Sequence, residues 1–400
     1  MARSASAAAV FLGVAATFAI NMMGTTLPTP LYPIYQQAFG FSELMITVIF
    51  AVYAVGVIAA LIVTGSWSDQ IGRRPMLLLG LLLSAASAFC FIWGGALTPL
   101  LLGRLLSGLS AGIFTGTATV AVVELTPSAW RNQATLVATA ANMGGLGLGP
   151  FVAGWLAEYA PWPLHLCFIV DLVLIGLALI AVFVAPETAK RPERPRLSIR
   201  KPAVPPAVRG VFVPAATAGF AGFAVMGLFT AIAPAFIGEV LGYSNHALTG
   251  VVVVLLFIGS IIGQTQQGRL PRAWRLPLGC IGLILGMGFL IASIEVGSLA
   301  LMTIGGVIAG AGQGASFRAG MGEITAASPV ERRAEVASTF FVVAYVAISI
   351  PVVGLGLIAR ALDLATAGAI FAAAVAVLAA ASALLLWLRQ RRYGQTSSVA

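Results

Sequence analysis

Residues 65–74 read Gly-Ser-Trp-Ser-Asp-Gln-Ile-Gly-Arg-Arg, a short polar segment between two long apolar runs. The runs, roughly 44–65 and 76–96, each have about the 20 residues that a helix needs to cross a bilayer. Inside the segment, Gly72 permits a tight turn, and Asp69 stands among cations with which it can pair. The segment therefore predicts a loop between two membrane helices, with an acid that pairs across a closing interface.

Composition extends this interpretation to the whole chain of 400 residues, of which 60% are hydrophobic and only 9% are charged. The mean hydropathy is +1.01. Soluble domains carry about 25% charged residues and about 45–50% apolar ones, so a water-soluble enzyme of this length is excluded. We expect an all-α polytopic membrane protein.

Charges, prolines and turn residues divide the chain into twelve apolar stretches of membrane-spanning length. The predicted spans are 7–32, 44–65, 76–96, 100–124, 134–157, 164–185, 211–236, 247–265, 276–294, 298–320, 336–358 and 366–388. No convincing cleavage site follows the first stretch, which is expected to be a retained span rather than a signal peptide.

The distribution of Lys and Arg predicts the orientation of these spans. With both termini in the cytoplasm, 19 of the 22 basic residues fall on the cytoplasmic side. Arg104 and Arg318 lie within spans, and only Arg360 is left for the outer side. The net charge of +9 is thus an orientation signal, and no nucleic-acid partner is expected.

The two halves of the chain repeat one pattern at an offset of 201–203 residues. The matching pairs are Gly24 and Gly227, Gly56 and Gly259, Gly65 and Gly268, Gly108 and Gly310, Gly112 and Gly314, Pro127 and Pro329, Arg131 and Arg333, and Pro150 and Pro351. Residues 187–209 form a proline-rich, basic linker between the halves. We expect two pseudo-symmetric six-helix bundles, 1–186 and 210–400, the second ending in a short basic cytoplasmic tail. In such parallel repeats the substrate site lies near mid-membrane.

Four segments carry a resemblance to a known family. The loop 65–74 matches G-x-x-x-D-x-x-G-R-R/K, segment 101–112 places an arginine in a glycine-rich fourth span, and segment 145–154 contains G-x-x-x-G-P. Residues 186–188, Pro-Glu-Thr, are similar to the end of that family's sixth helix. Together these segments resemble the major facilitator superfamily, and the fifth-span motif resembles its drug/proton antiporter branch.

The resemblance implies a twelve-helix transporter that works by alternating access. It assigns a gating network to Gly65, Asp69, Gly72, Arg73, Arg74 and Glu124. It assigns close helix packing to Gly145, Gly149, Pro150 and Gly154.

Two features depart from the family pattern. In the second-half loop, Arg272 occupies the position at which the repeat places the acid, so that loop is expected to have lost the gating role. The first span has no carboxylate, so proton coupling cannot use the acid that several drug/proton antiporters carry there.

Ionisable residues deep inside the spans are costly and therefore mark functional candidates. Arg104 lies about six residues, or about 9 Å, from the outer end of its span, and Asp171 lies about eight residues from the same side. This similar depth makes a buried ion pair feasible. One interpretation is that Asp171 exchanges a proton, while Arg104 tunes the pKa of Asp171 or binds an anionic substrate group. The alternative is that both residues have a structural role. Arg318, near the predicted inner end of the tenth span, is expected to extend towards the cytoplasm.

Polar and aromatic side chains recur on single helical faces and predict a central cavity. Asn21, Thr25 and Tyr32 share one face of the first span, and Phe341 and Tyr345 are four residues apart on the eleventh. Helix packing through small residues is the alternative explanation. The predicted substrate-binding residues are Asn21, Thr25, Tyr32, Tyr53, Arg104, Thr115, Asn142, Phe341 and Tyr345.

These features favour a secondary transporter that exports lipophilic or amphiphilic small molecules in exchange for protons. The alternative is an uptake symporter or facilitator for a small organic metabolite, with Arg104 as an anchor if the metabolite is an anion. An intramembrane enzyme is disfavoured because His165 and His246 stand alone, without a nucleophile–base pair or a metal cluster. An ATP-driven pump is disfavoured because no G-x-x-x-x-G-K-S/T segment occurs.

The expected partners are the lipid bilayer, protons and a small-molecule substrate. We expect no cofactor and no metal, a proton gradient as the driving force, a monomer, and a location in the inner membrane of a bacterium. Cys90, Cys167 and Cys280 all lie inside apolar runs, so a disulfide framework is not expected.

Overall fold

The computed structural model describes residues 2–194, 197, 199 and 202–396. The predicted linker residues Arg196, Arg200 and Lys201 lie outside the described residues. All regular structure in the described part of the chain is helical. The α-helices are α1 (Ala2–Thr26), α2 (Tyr32–Phe39), α3 (Glu43–Thr64), α4 (Trp67–Ile71), α5 (Arg73–Ile92), α6 (Leu97–Glu124), α7 (Ala134–Tyr159), α8 (Leu166–Val184), α9 (Pro206–Ala231), α10 (Ala233–Ala235), α11 (His246–Gln266), α12 (Arg272–Val296), α13 (Leu299–Ala327), α14 (Arg333–Ala361) and α15 (Leu364–Thr396).

Twelve helical stretches among the described residues are long and apolar enough to cross a membrane. The predicted all-α fold with twelve spans is therefore confirmed. Two stretches, Ala7–Phe39 and Leu299–Ala327, continue seven residues beyond their predicted ends. In the first stretch, Pro30 lies at the beginning of a short 3-10 turn and Pro33 at the beginning of α2. A missing backbone N–H is tolerated at these positions, so the prolines bend the helical path without ending it.

The second extension changes the position of Arg318. The sequence places this arginine near the end of the tenth span, but α13 continues nine residues past it, about 14 Å at 1.5 Å per residue. Charged residues have good helix propensity, so a charge does not end a helix as it ends an apolar run. Arg318 is half-buried within the helix.

Contacts divide the chain into two compact units. The first unit contains Met1–Lys201 and Thr230–Phe257, and the second contains Pro202–Phe229 and Ile258–Ala400. α9 and α11 therefore contribute to both units. The predicted division into six-helix bundles at residues 187–209 stays a prediction.

Equivalent glycines bring equivalent helices together in the two units. In the first unit, a Cβ built on Gly56 of α3 would come 2.5 Å from the backbone oxygen of Leu105 on α6. In the second, a Cβ on Gly259 of α11 would collide with the backbone oxygen of Val307 on α13. Gly56 and Gly259 are one of the repeat pairs, so the repeat found in the sequence corresponds to repeated backbone packing.

The loops after these helix pairs also repeat. Pro127 has φ −56° and ψ 147° and precedes a 3-10 turn over Ser128–Gln133. Pro329, its counterpart, has φ −53° and ψ 143° and precedes a 3-10 turn over Val330–Arg332. A proline with fixed φ thus ends the fourth and the tenth spans in the same way.

Candidate functional site

The predicted gating residues meet at the beginning of α5. Gly72 has φ +114°, a conformation that favours glycine, and it lets α5 begin directly after the short helix α4. The Arg73 guanidinium group pairs with Asp69 at 2.5 Å and with Glu124, the last residue of α6, at 3.2 Å. The structure therefore brings together three residues that lie up to 55 positions apart in the sequence.

The remaining two gating residues flank this network. Gly65 is the C-cap of α3, directly before α4. The guanidinium group of Arg74 lies over the ring of Phe183 on α8, 4.5 Å from its centroid. Arg74 therefore packs against an aromatic side chain through a cation–π contact rather than through an acid.

Glu187 completes the network and was not predicted to belong to it. Its carboxylate accepts hydrogen bonds from the backbone N–H of Arg73 at 2.8 Å and of Arg74 at 3.1 Å, and it pairs with Arg191 at 3.0 Å. These groups include the first backbone donors of α5, which have no partner inside the helix. Burial alone would raise the pKa of Glu187, but the hydrogen bonds from Ala189, Arg73, Arg191 and Arg74 outweigh it and hold the pKa below its usual range.

Arg104 is buried on α6 with 2% of its surface exposed. Its Nη1 donates a hydrogen bond to the backbone oxygen of Thr25 at 2.7 Å. The guanidinium group lies over the rings of Tyr53, at 4.7 Å from the centroid, and Phe50, at 5.4 Å. The positive charge is thus accommodated by a carbonyl dipole and two aromatic faces.

Asp171 on α8 is equally buried, with 2% exposed. Its carboxylate lies against α1, where a Cβ built on Gly24 would come 2.7 Å from Oδ2. None of the ion pairs among the described residues joins it to Arg104. The ion pair that equal depth made feasible is therefore not formed, because depth does not specify the direction in which each helix presents its side chain.

The predicted polar face of α1 points into the first unit. Asn21 is fully buried, and its Oδ1 lies 2.8 Å from the hydroxyl of Ser110 on α6. Thr25 donates its hydroxyl hydrogen to the backbone oxygen of Met22 at 2.7 Å. Tyr32 is 3% exposed and lies close enough to Arg104 to interact with its charge.

Two other predicted substrate residues of the first unit are more accessible. Thr115 and Asn142 are half-buried, on α6 and α7. The Thr115 hydroxyl donates to the backbone oxygen of Ala111 at 2.8 Å.

Phe341 and Tyr345 belong to an aromatic cluster of the second unit. The ring centroids of Phe341 and Phe317 are 5.8 Å apart, those of Phe317 and Phe223 are 5.4 Å apart, and those of Phe223 and Tyr345 are 6.2 Å apart. Phe340 joins the cluster through Phe317 at 5.8 Å. The predicted pair on α14 thus belongs to a larger cluster, to which α9 and α13 contribute further rings.

The glycines of the fifth-span motif lie at close contacts between helices. A Cβ on Gly145 would collide with the backbone oxygen of Ala19, and one on Gly149 with the backbone oxygen of Met23, both on α1. A Cβ on Gly154 would come 2.6 Å from the backbone oxygen of His246, at the beginning of α11. A Cβ on Gly250, which also lies on α11, would come 2.5 Å from the backbone oxygen of Pro150.

The sequence profile of the Major Facilitator Superfamily matches residues 14–350. This chain belongs to the Major Facilitator Superfamily. The family recognised from the loop and span motifs is therefore confirmed.

Curated relatives of this major facilitator are named for drug resistance. Multidrug resistance protein 1 of Bacillus subtilis (strain 168) is 27% identical over 176 residues, which are 44% of this chain and 43% of the relative. Quinolone resistance protein NorA of Staphylococcus aureus is 27% identical over 161 residues, 38% of this chain and 42% of the relative. Each match thus spans less than half of either protein.

Solved structures agree with the fold over nearly the whole chain. The D-xylose-proton symporter superposes with a TM-score of 0.75 at 15% identity, covering 95% of this chain and 97% of the other. A bacterial homolog of the human lysosomal transporter Spinster, inward-facing and unoccupied, gives a TM-score of 0.71 at 17% identity, covering 96% and 97%. This major facilitator is therefore a multi-pass membrane protein with the transporter fold.

Proposed function

We propose that this major facilitator exports lipophilic or amphiphilic small molecules in exchange for protons, by alternating access. The observation that carries the proposal is Asp171, a carboxyl group buried in the first unit without a basic partner among the described residues. An acid that moves between a dry and a hydrated environment takes up and releases a proton. Asp171 thus supplies a proton carrier in a chain whose first span lacks one.

The aromatic cluster supports the substrate class. Phe317, Phe341 and Tyr345 are half-buried rather than enclosed, so their rings are accessible to a ligand. Ligand sites combine apolar and aromatic side chains with a few polar groups, and this cluster has that character. The names of the relatives, which refer to multidrug and quinolone resistance, agree with the export of such compounds.

The gating network supports the transport cycle. The positive-inside distribution of Lys and Arg supports a cytoplasmic position for Asp69, Arg73 and Glu124 and for both termini, in the inner membrane of a bacterium that we propose as the location. Their ion pairs hold α4, α5 and the end of α6 together. Breaking and reforming these pairs is the step that we assign to the opening and closing of the cytoplasmic side.

A second candidate function rests on Arg104. Its guanidinium group is buried without a carboxylate partner among the described residues, and it can therefore receive a negatively charged substrate group. This arrangement favours a symporter or facilitator for a small organic anion. The two candidates differ in whether protons move against the transported molecule, with it or not at all, and in whether that molecule carries a negative charge.

Proteoliposomes with an imposed pH gradient test both candidates. A panel of lipophilic cations and small organic acids is added, and proton movement is followed together with ligand movement. Proton release that is driven by a lipophilic compound and lost in Asp171→Asn supports antiport. If an organic acid equilibrates without moving protons and Arg104→Gln abolishes this movement, the protein is an anion facilitator and the antiport proposal fails.

A further inference from the structure

Buried polar atoms without a hydrogen-bond partner are concentrated in one region of the first unit. Nine such side-chain atoms occur among the described residues, and seven of them belong to the first unit. Six of these seven lie on the first span or on the residues that pack against it. They are Thr17 Oγ1, Asn21 Nδ2, Tyr32 OH, Tyr35 OH, Arg104 Nε and Asp171 Oδ1.

Several of these atoms lie along a single path. Thr17, Asn21 and Gly24 follow at +4 and +7 on one face of α1, and the carboxylate of Asp171 touches that face at Gly24. Asp171 follows Cys167 by one turn on α8, and Cys167 lies close to Tyr35 on α2. The path therefore runs from Thr17 through Asn21 and Asp171 to Tyr35.

The residues on this path are too deeply buried to be satisfied by bulk water. Their exposed fractions range from 0% for Asn21 to 3% for Tyr32. Asn21 bonds Ser110 through one end of its amide group, so the other end is left without a partner whichever way the amide is turned. Buried polar groups in folded proteins are nearly always hydrogen-bonded, and internal water is the usual partner when no protein group is near.

The chemistry of the path suits water rather than a metal ion. It offers hydroxyls, an amide, one guanidinium N–H and one carboxyl oxygen, a mixture of donors and acceptors. No group of His, Cys, Asp and Glu side chains among the described residues could hold a metal ion. Cys167, one turn away on the same helix, is the titratable side chain that lies close to Asp171.

We propose that the first unit binds a row of internal water molecules along this face of α1, from Thr17 to Tyr35, and that these waters carry protons to and from Asp171. Each water accepts one proton and passes one on, so the row transfers a proton without a net change in its own composition. The role in proton transfer rests on the proposed function, whereas the presence of the water row does not.

Hydroxyl-radical footprinting of the wild-type protein in nanodiscs tests the water row directly, because radicals generated from bound water modify the adjacent side chain. We expect Tyr35, 2% exposed, to be modified at a rate of the same order as Tyr159, which is 64% exposed. Phe18 is the dry control, since it lies on α1 with 0% exposed. Modification of Tyr35 as slowly as Phe18 would overturn the proposal.

A pair of threonine variants tests the same row by a different measurement. Thr17→Val replaces a hydroxyl without a protein partner by a methyl group of similar shape, and Thr26→Val is the matched control, because the Thr26 hydroxyl donates to the backbone oxygen of Leu146 at 2.9 Å. A hydrated row predicts that Thr17→Val leaves Tm unchanged or lowers it, since a bond to water is lost. A rise in Tm for Thr17→Val means that the site is dry, and it overturns the proposal.

The same variants separate the water row from antiport. In proteoliposomes, we expect Thr17→Val to slow substrate-driven proton movement about tenfold while substrate binding stays at the wild-type level, and Thr26→Val to leave both unchanged. Wild-type proton movement in Thr17→Val means that the row does not carry protons. If the wild-type protein moves no protons with any substrate, the antiport proposal fails, and footprinting still decides whether the water row exists.

Discussion

The two units pack their helices alike but bury different chemistry. The first unit encloses Arg104 and Asp171, together with hydroxyl and amide groups on α1. The second contains a partly accessible cluster of rings, and among its described residues no acidic or basic side chain is buried. Helix packing depends on a few glycines at which backbones touch, so those positions repeat, whereas the side chains between them were free to diverge.

The buried polar groups of the second unit are neutral. Ser260 donates to Gln313 Oε1 at 2.6 Å and accepts from Gln264 Nε2 at 3.3 Å. Such an amide–hydroxyl network fixes side-chain positions without carrying charge. Under the proposed function, proton chemistry would belong to the first unit and contact with an aromatic substrate to the second.

The loops that precede α5 and α12 differ in the same way. In the first unit Arg73 is 11% exposed and pairs with two acids, Asp69 and Glu124. In the second, Arg272 stands at the position of Asp69 and pairs with Glu323 at 2.9 Å, but its side chain is 69% exposed. Exposed ion pairs contribute little to stability, so the pair in the second loop is expected to be weak, and the loss of its gating role stays a prediction.

The largest effect is expected from Asp171→Asn. A carboxamide has the shape of the carboxyl group but does not titrate, so substrate-driven proton movement in proteoliposomes should fall at least about tenfold while the ligand still binds. Asp363→Asn is the control, because Asp363 is exposed and its carboxylate bonds the nearby Thr366. Proton movement that survives Asp171→Asn would break the assignment of proton chemistry to the first unit.

Matched glycine variants test whether close packing is common to both units. Gly145→Ala in the first unit and Gly263→Ala in the second each place a methyl group against the backbone of a neighbouring helix, and should cost about 1–3 kcal/mol of stability. Gly144→Ala and Gly288→Ala, which meet nothing within 4 Å, should stabilise by up to about 1 kcal/mol. Thermal unfolding in detergent measures all four. A loss in only one unit would show that the repeat does not extend to packing energy.

A smaller effect is expected from Phe341→Leu in the aromatic cluster. Losing one ring contact with the ligand costs about 0.5–1.5 kcal/mol, so the affinity for an aromatic cation such as tetraphenylphosphonium should fall about twofold to about twelvefold. Phe89→Leu is the control, since Phe89 lies in the first unit with 45% exposed. Equilibrium binding measures the change. Equal affinities for Phe341→Leu and the wild type would remove the aromatic cluster from the substrate site.

The smallest effect concerns Glu187, whose pKa is lowered because its hydrogen bonds outweigh burial. A depressed native pKa stabilises the folded state at pH values above the ordinary pKa of the group, and this contribution is lost as pH falls through the native value. Glu187→Gln should therefore lower stability by about 0.5–1 kcal/mol at neutral pH and progressively less below about pH 4.5. Thermal unfolding from pH 7 to pH 3 measures this difference.

Two further variants tie Glu187 to the comparison of the units. Glu193→Gln, a nearby exposed change, should have no effect at any pH. Glu323→Gln removes the acid of the exposed second-unit pair and should leave Tm within error. If Glu323→Gln lowers Tm as much as Glu187→Gln does, the two loops contribute equally to stability.

Much of this protein could be derived from residue order alone. Apolar runs of about 20 residues are sufficient to predict twelve spans, because a bilayer requires that length. Asp69 and Arg73 are only four residues apart, so a contact between them was predictable although Gly72 separates α4 from α5. The repeated glycines predicted repeated helix contacts, since only residues without a side chain allow backbones to touch.

Other features depended on which helices lie side by side. Periodicity shows that Asn21 and Thr25 share a face of α1, but not that this face meets α6 and α8 inside the first unit. Arg104 and Asp171 have similar depths but point to different neighbours, and Glu187 reaches the beginning of α5 from more than 100 residues away. Helical spacing determines the faces of each helix, whereas the neighbour that each face meets depends on contacts between distant parts of the chain.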